Sequence, residues 1–170
     1  MIITVRTAGE IDAALSTVGA TAAHARVALR ALPDNPLAAL MQLKFDPVGA
    51  HQLGMRPLNV VEEIDQTFPY LVALRAARLL FEWHPDAHGL QLAPGSLDIE
   101  SLTPGLVGAE TFAAVRPENN KKLRTDLAKL ADRPEPHRYV FFMSPVFSDA
   151  ERRPELETGG VQVWSAGMQL

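Results

Sequence analysis

Asp98 and Glu110 are the residues of this 170-residue chain whose type and spacing point most directly to chemistry. They stand twelve positions apart, on either side of the turn sequence Thr103-Pro104-Gly105. The flanking runs, 97–101 and 106–115, read as the two strands of a β-hairpin. Folding about Pro104 sets Asp98 directly opposite Glu110, whereas a slip of one residue would put them on opposite faces. Like charges facing each other across a strand pair are destabilising. A divalent metal is the usual neutraliser, because hard cations take carboxylate oxygens. Glu100 shares the face of Asp98 and would face Gly108, as a third ligand or as a solvated acid.

Other chemistries find little in the chain. There is no cysteine, so disulfides, thiolate metal sites and a cysteine nucleophile are excluded. His84 and His88 are four apart, but Pro85 separates them from a shared regular helix, and zinc spacing is not met. No serine sits in a G-x-S-x-G elbow, and neither a P-loop nor a G-x-G-x-x-G is present. The run Tyr139-Val140-Phe141-Phe142 reads as core rather than a base-stacking platform, with Trp83 and Trp164 as packing residues.

The elements that must position the acids follow from periodicity and caps. Residues 1–6 alternate as a short strand, and Thr7 with Glu10 forms a capping box for a helix over 11–32, which Gly19 could divide. Pro33-Asp34-Asn35-Pro36 stops it, and a short helix over 36–43 follows. Residues 44–57 read as loop, with Pro47, Gly49, Gly54 and Pro57. Asn59 caps a helix over 60–83, with Val61, Ile64, Phe68, Leu71, Val72 and Leu79 as its apolar stripe and a kink or break at Pro69. Strands over 90–92, 97–101 and 106–115 precede a helix over 120–131 whose buried stripe is Leu123, Leu127 and Leu130. A strand over 138–147, covered on both faces, and a last strand over 161–164 complete the order.

That order, with acids where these fall, resembles the PD-(D/E)XK nuclease superfamily over residues 58–147. The resemblance implies an α/β fold: a mixed β-sheet flanked by helices, with a restriction-endonuclease-like core. On it, Asp98 matches the acid that begins the middle hairpin and Glu110 the acid of the next strand. The lysine expected two residues after Glu110 is replaced by Phe112, and Leu97 stands where the motif has proline. Some relatives recruit a lysine from the following helix; Lys122 is the counterpart here, with Lys121 beside it. A glutamate on the preceding helix often completes the metal site. Glu62 is favoured, with Gln66 as a hydrogen-bonding companion four residues on, while Glu63 is expected to point toward solvent. Acids at a helix N-terminus are also favoured by the macrodipole alone.

The chain is 47% hydrophobic and 21% charged, enough for one domain with its own core: 1–57 as an N-terminal strand and helical extension, 58–170 as the nuclease-like core. The N-terminal helices pack around the core or serve self-association as a homodimer. With net charge −4 it is no strong non-specific nucleic-acid binder. Lys121, Lys122, Arg124 and Lys129, followed by Arg133 and Arg138, form either a solvated helix face or a phosphate patch. No signal-peptide pattern or membrane-length apolar run is read, and a cytoplasmic location is expected. The resemblance thus implies an Mg²⁺- or Mn²⁺-dependent phosphodiesterase acting on nucleic acid, with Asp98, Glu110 and Glu62 on the metal and Lys122 assisting. The alternatives are an inactive nuclease-like fold that binds nucleic acid or protein, and an accessory binding domain unrelated to nucleases.

Overall fold

A computed structural model describes residues 2–169 apart from Gly54, Met55, Pro94 and Asn120, and the backbone alone of Asn119. Met1 of the expected first strand, Gly54 of the expected loop and Asn120 at the expected helix start lie outside the described residues. The elements in chain order are β1 (Ile3–Val5), α1 (Ala8–Arg30), α2 (Pro36–Phe45), β2 (Gly49–Ala50), β3 (Pro57–Leu58), α3 (Val60–Trp83), β4 (Leu90–Leu92), β5 (Ile99–Ser101) and β6 (Val107–Ala113). After these come α4 (Lys121–Ala131), β7 (His137–Met143), β8 (Ala150–Arg152) and β9 (Gln162–Ala166). Two compact units emerge: Met1–Ile11 with Val72–Leu170, and Asp12–Leu71.

The first unit is built on a sheet of seven strands among the described residues, in the order β1-β4-β5-β6-β7-β9-β8. The pairs β6–β7 and β7–β9 are parallel and the others antiparallel, so the sheet is mixed and the chain is α/β. The parallel β6–β7 pair needs a crossover, and α4 supplies it. Leu123, Leu127 and Leu130 of α4 lie in one core cluster with Phe112, Val140, Phe142 and Val163 from alternate positions of β6, β7 and β9. On the opposite face, Trp83 at the end of α3 meets Tyr139, Phe141 and Trp164, the last with ring centroids 4.6 Å apart. The strand β7 is therefore covered on both faces, and Phe141 and Phe142 are fully buried.

Several expectations hold in detail. Thr7 Oγ1 accepts from the Glu10 N–H and Glu10 Oε2 from the Thr7 N–H, a reciprocal capping box. Asn59 Oδ1 accepts from the Glu62 N–H and starts α3. Other expectations are corrected. The helix α1 runs unbroken through Gly19, whose added Cβ would meet nothing, so no packing demand breaks the helix there. Likewise α3 continues through Pro69, so the break is absent; the proline costs the helix one backbone hydrogen bond. Residues 44–57 contain a small hairpin, with Gly49 opposite Leu58 and Ala50 opposite Pro57. The short edge strand β8 escapes sequence reading because all three of its residues are exposed and it carries no apolar alternation.

In the second unit the expected stripe of α3 is wrong, since Ile64 is 44% and Phe68 43% exposed. The inward positions of that half are Val60 and Glu63, followed by half-buried Thr67. Gln52 Nε2 donates to the Glu63 carbonyl at 2.9 Å and to Thr67 Oγ1 at 2.7 Å. Glu63 is thus turned inward, against the expectation that it faces solvent, and its Oε2 accepts the Ala50 N–H at 3.1 Å. Burial pushes its carboxyl above the ordinary value. A polar inner face defeats a search for apolar periodicity. The neighbouring α2 buries no residue and leaves Leu37, Leu40, Met41 and Phe45 exposed.

Two substitutions test this assignment of core and surface. Leu130→Ala should lower the unfolding free energy by about 2–5 kcal/mol, whereas exposed Ile64→Ala should move it by no more than about 0.5 kcal/mol. Urea denaturation of both variants reads the difference.

Candidate active site

Three elements of the first unit bring charged side chains together. The β5–β6 ladder pairs Ile99 with Ala109 and Glu100 with Gly108, and the same register continued by one residue sets Asp98 opposite Glu110. This is the expected register, and Glu100 faces Gly108 as the alternation required. The chain from Glu110 onward runs through Phe112, then across to α4. There Lys122, Asp126 and Lys129, spaced four and three apart, share one helix face. That face lies one residue behind the buried stripe of Leu123, Leu127 and Leu130, so burying the leucines on the sheet delivers the charged row to Glu110.

Glu110 is 1% exposed, yet its two oxygens are both occupied. Lys122 Nζ donates to Oε2 at 3.3 Å and Lys129 Nζ donates to Oε1. Lys122 also donates to Asp126 Oδ1 at 2.6 Å, so one ammonium bridges two buried carboxylates. The other oxygen of Asp126, Oδ2, is buried with no hydrogen-bond partner among the described residues. Asp98 Oδ2 accepts from the Thr111 N–H at 2.8 Å and from Thr111 Oγ1 at 3.2 Å. Its carboxylate therefore takes the place of a ladder carbonyl at the strand end.

The titration of these groups follows from that arrangement. Burial pushes the Glu110 carboxyl above its ordinary value, the Asp98 and Asp126 charges add to the rise, and Lys129 and Lys122 oppose it. Burial likewise raises Asp126 against the pull of Lys122. For Lys122 burial works against the ammonium, but its hydrogen bond to Asp126 and the charges of Asp126, Glu110 and Asp98 outweigh it, so its pKa moves up. The carboxylates lie deep, whereas the Lys122 side chain is nearly half exposed and its carboxylate partners together outweigh its desolvation.

Of the residues singled out from sequence, Asp98, Glu110 and Lys122 are brought together. Glu62 and Gln66 belong to the second unit; Glu62 is exposed on the first turn of α3, with its N–H held by Asn59. Phe112 is 6% exposed and stacks on Phe142 with centroids 6.0 Å apart, so the position where the motif has lysine lies inside the hydrophobic core. Asp126 and Lys129 were not singled out as site residues. Their signal was their helical spacing with Lys122 beside the leucine stripe.

Much of the basic segment is engaged internally. Besides Lys122 and Lys129, Arg133 is held by Glu135, and Arg138 Nη1 donates to the Leu130, Ala131 and Arg133 carbonyls at the end of α4. Lys121 and Arg124 are exposed.

Chemically, the cluster offers three hard carboxylate donors and two ammonium groups, of which two carboxylates are nearly fully buried. The donor set suits Mg²⁺ or Mn²⁺, and the orphaned Asp126 Oδ2 is an acceptor in want of a positive partner. Among the described residues, however, no three His, Asp or Glu side chains converge as an ion would require, and lysines occupy both oxygens of Glu110.

The raised Glu110 carboxyl has a definite effect on stability. The folded chain holds this proton more tightly than the unfolded chain, so its contribution is full below the ordinary value of 4.5 and is lost as pH rises through the folded value. Glu110→Gln should flatten that fall relative to wild type, read as the difference in melting temperature across a pH series from about 4 upward.

Comparison with protein-family models, with curated proteins and with solved structures finds no match to this chain.

Proposed function

We propose that the cluster of Asp98, Glu110 and Asp126 with Lys122 and Lys129 is the catalytic centre of a divalent-metal-dependent phosphodiesterase acting on nucleic acid. The observation that carries this reading is the orphaned, buried Oδ2 of Asp126 beside a carboxylate pair that the Asp98–Glu110 register forces together. The order α3-β4-β5-β6-α4-β7, with β6 and β7 parallel across α4, supports the resemblance to the PD-(D/E)XK superfamily. Fold alone is a weak warrant for activity, so the site carries the argument.

Asp98, Glu110 and Asp126 would hold Mg²⁺ or Mn²⁺; when bound, the ion supplies a Lewis acid and lowers the pKa of a coordinated water. Hydrolysis forms a phosphorus–oxygen bond to water and breaks one ester bond, with a proton passing to the departing oxygen. The upward pKa of Lys122 keeps it cationic at neutral pH, which suits balancing charge on the phosphate rather than abstracting a proton. Two lysines from α4 would thereby do what the residue at position 112 cannot.

A second reading rests on its own observation. Both oxygens of Glu110 are already neutralised by lysines, and the usual lysine position is a core phenylalanine. On this reading the cluster is a structural tie between β6 and α4 in a fold that binds nucleic acid or protein without cleaving it.

Incubation with Mn²⁺ and a panel of plasmid, single-stranded DNA and RNA separates the two. The first reading expects metal-dependent cleavage that Asp98→Ala abolishes and that Lys122→Ala reduces by about 10²-fold or more. It also expects Mn²⁺ at about 100 times its dissociation constant to stabilise the chain by about 2.7 kcal/mol. Absence of both cleavage and a melting shift favours the second.

A further inference from the structure

A cleft of about 300 Å³ lies at the end of the β5–β6 hairpin, lined by Gln91, Glu100, Ser101, Val107, Arg133 and Glu135 among others. It adjoins the carboxylate–lysine cluster. Glu100 faces Gly108, and Asp98 with Glu110 is the next pair on the same face, roughly 7 Å along at the rise of a β-strand. Gly108 carries no side chain there: a Cβ would stand 2.7 Å from Leu97 Cδ1 and 3.5 Å from Glu135 Cγ. Glu135 lies in van der Waals range of that position.

Arg133 is the recognition group of this cleft. Its Nε and Nη2 donate to the two oxygens of Glu135 at 3.1 and 2.6 Å, a fork that fixes the guanidinium plane. Glu100 Oε1 lies 3.8 Å from Nη2. Nη1 has no partner among the described residues. The free end of the plane, Nη1 with the second Nη2 hydrogen, can therefore still donate two parallel hydrogen bonds.

The charge balance selects the ligand. Two carboxylates, Glu100 and Glu135, stand against one guanidinium, so a phosphate would meet net negative charge. A neutral planar group presenting two adjacent acceptors meets no such repulsion. The O6 and N7 edge of guanine is such a group, and a bidentate arginine is its commonest specific partner. The geometry points to a guanine-reading subsite, in which the cleft beside Arg133 takes the base of the nucleotide next to the phosphodiester held at Asp98 and Glu110. This inference rests on the nuclease reading above and names what that site would select.

Calorimetric titration of the full chain with GMP, AMP, CMP and UMP in metal-free buffer tests the cleft without any cleavage. GMP should bind about tenfold more tightly than the other three. Arg133→Lys keeps the charge but loses the fork, and Gln91→Trp fills the cleft from β4; each should erase the preference in a chain that still melts cooperatively. Equal affinity for the four nucleotides, no binding, or a preference that survives in both variants overturns the inference. Sequencing the ends of oligonucleotides cut in Mn²⁺ then separates the two claims. Cuts with no base preference overturn the guanine subsite and leave the nuclease standing. A GMP preference with no cutting leaves the subsite standing and removes the nuclease.

Discussion

A buried glutamate between two lysines governs the architecture around the candidate site. Glu110 is nearly inaccessible on a central strand, and an isolated carboxylate there would be costly. Two ammonium groups from one helix face offset that cost, and they reach it because α4 packs its leucines onto the same side of the sheet. Breaking one half of such an arrangement leaves a buried charge uncompensated, which is more damaging than replacing the whole. The leucines set the position of α4, and Asp126 joins the interaction through Lys122.

The same interaction gives the site its chemical ambiguity. Lysines that neutralise the carboxylates suit a structural tie, and on the proposed reading the same groups would balance charge on a phosphate. Asp98 is held differently: its carboxylate ends the β5–β6 ladder by accepting from the Thr111 N–H and hydroxyl. One acid is therefore held by Thr111, and two are held by ammonium groups of α4.

Much of this was legible in the sequence, for reasons that particular residues make plain. Alternation and the Thr103-Pro104-Gly105 turn favoured the register that sets Asp98 opposite Glu110 and Glu100 opposite Gly108 without excluding a slip by one residue, and the ladder has that register. The leucine spacing of α4 revealed its buried face, and Asn59 marked the start of α3. Asp126 was passed over, because a polar residue beside a leucine stripe resembles a solvated one unless its spacing with Lys122 is weighed. Glu63 was misread for the converse reason: its half of α3 turns a hydrogen-bonded polar face inward, so apolar periodicity pointed to Ile64 and Phe68 instead. The edge strand β8 offered no burial pattern to detect. Local spacing is visible in a chain, whereas which polar groups are satisfied internally depends on partners distant in sequence.

The central proposal is that Asp98, Glu110 and Asp126 hold a cation once a lysine leaves Glu110. Crystals of the chain grown in Mn²⁺, with anomalous diffraction collected at the manganese edge, test it most directly. The account predicts one strong anomalous peak within coordination distance of Asp98, Glu110 and Asp126, with Lys122 or Lys129 displaced from Glu110. No peak there, with both lysines still on Glu110, would contradict it.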